Sequence, residues 1–292
     1  MTLNALTPLL TGLLLATTPH AAADPGDAAL RTETFSVDGQ RIHYRIGGRG
    51  PHLLLLHGFT LTGEEWAPFL DDFMQHYTVI VPDLPGHGHS SDVDGHYDFQ
   101  WTAKAMLALL DAVGARRVSG IGHSAGGITL LQMTLQQAAR FDALVLVDAP
   151  HRFGKQGLDV LRSETYESLS DEMLAFYRGI QPRGDAQIKR LHDQAVWLTD
   201  DHEDFSVSRA ALARITVPTL VVWGDRDAYF PVETAVELYR ALPEARLWII
   251  PGQGHTPVFE YLGGSAEAAR VFPAVVTRFL GESAAGAPAA PH

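Results

Sequence analysis

The chain of 292 residues contains no cysteine. That excludes disulfides, thiolate-ligated zinc, iron–sulfur clusters and a thiol nucleophile, though it leaves the redox compartment open. Positive charge is scarce as well: 22 Lys and Arg stand against 34 Asp and Glu, a net charge of −12 at pH 7. Such a chain repels phosphate backbones, and no local basic cluster offsets the balance, so no nucleic-acid partner is expected. No segment repeats, and no apolar run reaches the roughly 20 residues that would span a bilayer, so no stable membrane anchor is expected. The run Leu9 to Ala16, followed by Ala21-Ala22-Ala23, is too short for that. It reads as a secretory leader over residues 1–23, although no Lys or Arg precedes Arg31 to supply the usual basic start. The expected location is therefore secreted or periplasmic, and cytoplasmic if the leader does not function. What remains is an ordinary globular composition, 46% hydrophobic and 19% charged, long enough for one large domain with an inserted lobe.

Along the chain, apolar runs alternate with helical spacings. Asp38-Gly39 joins two short alternating runs and predicts a hairpin. Leu53 to Leu56, Thr78 to Val81, Val118 to Ile121, Ala143 to Val147, Thr219 to Trp223 and Leu247 to Ile250 read as strands. Between them, helices are expected over Glu64–Gln75, Phe99–Val113, Ala125–Ala139, Val232–Leu242 and Ala266–Leu280. This rhythm predicts βαβ units and a mostly parallel sheet, an α/β core over residues 24–150 and 215–280. From 151 to 214 the strands stop, and helices around Tyr166–Gly179 and Ala186–Leu198 suggest an inserted helical cap. Residues 281–292 are rich in Ala, Gly and Pro and are expected to be disordered.

The chemistry concentrates at Gly122-His123-Ser124-Ala125-Gly126, which follows a predicted strand and opens a predicted helix. Gly-x-Ser-x-Gly in that context places a serine hydroxyl on a strained turn at the sheet edge, next to a helix N-terminus that favours developing negative charge. A serine needs a base at neutral pH, and the base needs an orienting acid. His255, in the Pro251–Pro257 loop after the last strand, is the candidate base. Asp227 is the preferred acid, with Asp225 on the same loop and Asp148 at the end of an earlier strand as alternatives. The Ala125 N–H and an N–H of the His57-Gly58-Phe59 turn, most simply that of Phe59, are candidate oxyanion donors. Phe59, His123, Trp223, Tyr229, Phe230 and Val258 stand near these motifs and are expected to line a substrate pocket. The pair His87-x-His89 invites a metal reading, but Ser91 and Asp92 occupy the places where a metallo-hydrolase motif needs Asp and His, so no metal is expected.

Taken together, His57-Gly58-Phe59, Asp83 to Ser90, Gly122 to Gly126, Gly224-Asp225-Arg226-Asp227 and Gly254-His255 resemble the α/β-hydrolase fold-1 family, in that family's order and over about Thr32 to Leu280. The resemblance implies an eight-stranded, mostly parallel sheet with flanking helices, a helical cap after strand six, and no cofactor. It implies Ser124 as nucleophile, Asp227 as acid, His255 as base, and Phe59 and Ala125 as oxyanion donors. Dehalogenase-like and epoxide-hydrolase-like branches carry Asp at the nucleophile position and are excluded by Ser124. Proline-iminopeptidase-like members carry Gly-Gly-Ser-Trp-Gly there, and the flanks here are His123 and Ala125. The expected function is hydrolysis of a small-molecule carboxylic ester or lactone through an acyl-enzyme. The alternatives are a carbon–carbon bond hydrolase with the same triad, and a receptor-like binding protein with little turnover.

Overall fold

The computed structural model describes residues 29–286, so the expected leader lies outside the described residues. Eight strands form one sheet: β1 (Arg31–Val37), β2 (Gln40–Gly48), β3 (His52–Leu56), β4 (Thr78–Pro82), β5 (Val118–His123), β6 (Phe141–Val147), β7 (Thr219–Gly224) and β8 (Ala245–Ile250). Their order is β1-β2-β4-β3-β5-β6-β7-β8; β2 runs antiparallel to both neighbours and the pairs from β4 to β8 are parallel. The hairpin at Asp38-Gly39 exists because both residues take positive φ (50° and 78°), the geometry that a two-residue turn needs to match strand twist.

The central strands are continuously apolar because both faces of the sheet are covered. Side chains alternate, so Leu54 and Leu56 of β3 enter one core while Leu53 and Leu55 enter the other. The first core lies under α2 (Phe99–Ala112), α3 (Ala125–Gln137) and α8 (Val232–Ala241), through Met106, Leu131 and Leu238. The second is built on Trp66, Phe69, Phe73, Phe259 and Phe272, supplied by the segment around α1 (Leu70–Met74), by the connection after β8 and by α9 (Ala266–Ala284). Between β6 and β7 the chain leaves the sheet and forms α4 (Lys155–Ser163), α5 (Asp171–Ile180), α6 (Asp185–Trp197) and the short α7 (Arg209–Leu212). Among the described residues no helix is long and apolar enough to cross a membrane.

Local departures from the sequence expectations have visible causes. The helix expected over Glu64–Gln75 is a 3-10 segment, Gly63–Phe69, followed by α1; Pro68 supplies no N–H and interrupts an α-helical ladder there. The helix expected over Tyr166–Gly179 begins only at Asp171, because the Ser170 hydroxyl accepts the Met173 N–H and caps it, with Asp171 and Glu172 in the first turn. Helix α4 was not foreseen; Gly157 on it lets the backbone lie against the Phe230 ring. At the other end α9 runs on to Ala284, so Gly281–Ala284 belong to a helix rather than to a loose tail.

Candidate active site

The site lies at the C-terminal edge of the parallel strands, where the β5–α3, β6, β7 and β8 loops meet. Ser124 takes φ 48° and ψ −115°, a strained conformation for a residue with a side chain. The strain is sustained by close packing that only glycine permits. A Cβ on Gly122 would stand 2.5 Å from the Gly126 carbonyl carbon, and one on Gly126 would stand 2.2 Å from the Leu56 carbonyl oxygen. The turn thereby lifts the serine hydroxyl off the sheet edge at the start of α3.

His255 Nε2 is 2.9 Å from Ser124 Oγ, and its Nδ1 is 2.7 Å from Asp227 Oδ2. A carboxylate beside Nδ1 places the ring hydrogen there and leaves the Nε2 lone pair toward the serine hydroxyl. Asp227 is buried, and its other oxygen accepts the Tyr229 and Phe230 N–H groups at 2.7 and 3.2 Å, so it is fixed on both sides. Asp225 is engaged elsewhere: its Oδ1 accepts the Gly252 N–H at 2.5 Å and braces the loop leading to His255. Asp148 is fully buried beside Asp227, with φ 42° and Oδ1 accepting the Gly224 N–H at 3.0 Å. Burial, and then the neighbouring Asp227 charge, push its carboxyl well above the ordinary carboxylate range, favouring the protonated form. Among the described residues Asp148, Asp227 and His255 are the one group whose ligand atoms converge as metal ligands would. Those of Asp227 and His255 are committed to hydrogen bonds within the chain, and Asp148 resists ionisation, which is poor chemistry for a divalent ion.

The loop after β3 is pinned around Phe59. Gly58 N–H donates to Glu65 Oε2 (2.8 Å), Thr60 N–H to His87 Nε2 (3.1 Å) and Leu61 N–H to Gly58 O (3.2 Å). The Phe59 N–H between them has no partner among the described residues, and neither has the Ala125 N–H at the first helical position of α3. His87 of the His87-x-His89 pair is enclosed: Nδ1 donates to Pro85 O at 2.9 Å, and burial lowers its pKa to about 3. His57 likewise accepts the Leu84 N–H at 2.9 Å and donates to Gly58 O.

A cavity of about 580 Å³ opens over Ser124, within the usual range of small-molecule sites. Phe59, His123, Tyr229 and Phe230 line it as expected from sequence. Trp223 and Val258 do not: both are fully buried, Trp223 in the sheet core with its ring N–H on Phe230 O, and Val258 under the aromatic cluster of the opposite face. Trp223 shares a core with Phe153 and Phe230 of the cavity wall but lies enclosed behind them. His123, though in the wall, has an acceptor beside each ring nitrogen, Glu65 Oε1 paired at 2.6 Å from Nδ1 and the His255 carbonyl hydrogen-bonded to Nε2 at 2.8 Å. Two acceptor neighbours favour the doubly protonated ring. Burial opposes that charge, but Glu65 outweighs it and His123 is raised above its ordinary pKa.

Sequence reading missed Glu65, Gln181, Glu164 and His192. Gln181 Nε2 donates to Thr60 O and its Oε1 accepts the Gly88 N–H, both at 2.8 Å, tying the end of α5 to the Phe59 loop. Arg183 and Gln187 add bonds to the Gly86 and Gly88 carbonyls, so the helical insertion is clamped to the core. Only the polar residues on the buried face of α6, Gln187, His192 and Gln194, hinted at such contacts.

Comparison with known proteins agrees with this architecture. The family model for the alpha/beta hydrolase family matches residues 53–270. A pimeloyl-[acyl-carrier protein] methyl ester esterase of Xanthomonas campestris pv. campestris (strain B100) is 28% identical over 260 residues, covering 80% of this chain and 100% of that protein. The enol-lactonase from Burkholderia xenovorans LB400 superposes with a TM-score of 0.68 at 26% identity, over 86% of this chain and 100% of that one. A membrane phospholipase A gives a TM-score of 0.72 at 26% identity, over 87% and 88% of the two chains. With its eight-stranded sheet and a family match over most of its length, the chain belongs to the alpha/beta hydrolase family.

Proposed function

We propose that the chain is a serine hydrolase cleaving a carboxylic ester or lactone through an acyl-enzyme, with Ser124 as nucleophile, His255 as base and Asp227 as orienting acid. The observation that carries this reading is the unbroken hydrogen-bonded series Ser124 Oγ, His255, Asp227, opening into the cavity. Ester and lactone cleavage by similar proteins supports the bond type.

In the first half-reaction Ser124 Oγ attacks the carbonyl carbon as its proton passes to His255 Nε2, and Asp227 stabilises the imidazolium. The oxyanion forms between the Phe59 and Ala125 N–H groups, each such donor being worth about 2.7–4 kcal/mol of transition-state stabilisation. Collapse restores the carbonyl and breaks the bond from its carbon to the ester oxygen, and His255 gives its proton to the leaving alkoxide. Water then attacks the acyl-enzyme, loses a proton to His255, and the acid departs as Ser124 recovers its hydrogen. The helices between β6 and β7 roof the cavity and set which acyl and alcohol groups enter.

A panel of p-nitrophenyl esters of increasing chain length, with a set of lactones, tests the reading. Turnover of at least one class is expected, together with its loss in Ser124→Ala. Turnover that persists in Ser124→Ala would overturn the assignment.

A further inference from the structure

The roof of the cavity carries a polar station that the proposed chemistry does not use. His192, on α6, lines the cavity and is only 3% exposed. Its Nδ1 lies 2.9 Å from the Glu164 carbonyl oxygen, so the ring hydrogen is on that nitrogen, while Nε2 is buried with no hydrogen-bond partner among the described residues. In the neutral ring Nε2 is therefore a buried acceptor waiting for a donor. Glu164, at the end of α4, lines the same cavity. Its Oε1 accepts the Tyr229 hydroxyl at 2.5 Å, and burial keeps that phenol protonated, as does the Glu164 charge. The remaining lone pairs of the carboxylate make a second acceptor.

Placement and charge narrow what such a station can hold. The Tyr229 ring packs on the His255 ring with centroids 4.5 Å apart, and its hydroxyl meets Glu164. One tyrosine thus separates the base from the acidic acceptor, which stands away from where a scissile bond would meet His255. Around it the wall is apolar, with Phe153, Leu161, Ala195 and Leu198. The described residues lining the cavity include Glu164 and Glu172 but no Lys or Arg. A carboxylate or phosphate in the substrate chain would find no Lys or Arg and, at this station, a like charge instead.

We infer that His192 Nε2 and the Glu164 carboxylate form a specificity subsite for a hydrogen-bond donor, a hydroxyl or amide N–H carried on an otherwise apolar, uncharged chain several bonds from the scissile carbonyl. The inference rests on the ester or lactone reading and adds the chemical class of the substrate. A buried acceptor left unpaired by an unsubstituted chain makes the site discriminate in favour of the substituted one.

The test uses p-nitrophenyl octanoates bearing a hydroxyl at successive carbons, the plain octanoate, and the p-nitrophenyl half-ester of suberic acid. The ratio of kcat/KM for hydroxylated over plain ester is expected to reach about tenfold at one position. His192→Phe should bring that ratio to about one. Glu164→Gln, which keeps an acceptor for Tyr229 while removing the charge, should relax discrimination against the anionic half-ester by about tenfold. Ratios near one at every position, or ratios unmoved by both variants, would overturn the subsite while leaving the hydrolase reading intact. Should the wild type cleave neither these esters nor any lactone of the panel, the hydrolase reading fails, and calorimetry still decides the subsite. Hydroxyoctanamides should then bind Ser124→Ala about tenfold more tightly than octanamide, and equal affinity would refute it.

Discussion

Replacing Glu65 by leucine removes two partners at once from a fully buried place. The Gly58 N–H loses its acceptor at 2.8 Å, and His123 loses the carboxylate 2.6 Å from its Nδ1. Each buried polar group left unpaired costs about 1–3 kcal/mol, and breaking a buried ion pair from one side costs about 3–5 kcal/mol. Both routes converge on about 4 kcal/mol, which for a chain of this size is a fall in Tm of about 10 °C. Glu65→Gln is a sharper control, because its amide oxygen still accepts the Gly58 N–H and its NH₂ can donate to a neutral His123. The loss there should be only about 1 kcal/mol. The two forms differ in pH dependence. In the wild type the pKa of His123 is raised above 6.5, so its contribution is fully present below pH 6.5 and is lost as pH rises through the folded value. Without the carboxylate, burial is opposed only by the weaker pulls of the His255 carbonyl and Asp227, so the wild type's advantage over Glu65→Gln is greatest below pH 6.5 and shrinks above it. Denaturant unfolding of both proteins from pH 6 to 9 measures this, and taking the difference cancels the other titrating groups. A Glu65→Leu variant melting with the wild type, or a difference that does not change with pH, would refute the pairing of Glu65 with His123.

Asp227→Asn should lower kcat by about 10⁴-fold, as removal of the carboxylate beside the base leaves the wrong tautomer. Asp148→Asn should stay within a few-fold, since its amide oxygen still accepts the Gly224 N–H; steady-state kinetics of the two variants tells them apart, and the reverse ranking would move the acid to β6. Gln181→Leu strands the Gly88 N–H and the Thr60 carbonyl, and is expected to cost about 2 kcal/mol in unfolding experiments. It should also lower kcat/KM, because the Phe59 loop loses its tie to the roof; full activity with unchanged stability would show that the tie is idle.

The sheet and the elbow at Ser124 were legible because their signals are local. A four-leucine run reads as a strand buried on both faces, and a glycine-flanked serine between strand and helix reads as a strained turn. Ser124, Asp227 and His255 come together because each stands just past a strand end, and strand ends share one edge. Side-chain direction was less legible. Trp223 is one position from the functional loop, yet it is enclosed in the core behind Phe153 and Phe230, and Val258 is drawn under the aromatic cluster around Phe259. The Glu65–His123 pair and the His192–Glu164 station were invisible for another reason. Their partners are brought together by packing of distant segments, and nothing in Gly63-Glu64-Glu65-Trp66 distinguishes the buried glutamate from its exposed neighbour.

The central claim, that Ser124 is an activated nucleophile, is tested most directly by intact-mass analysis after treatment with a fluorophosphonate. One adduct is predicted, mapped to Ser124 by peptide sequencing, absent in Ser124→Ala and slowed by orders of magnitude in His255→Ala. An unlabelled wild type, or a label on any other residue, would contradict the account.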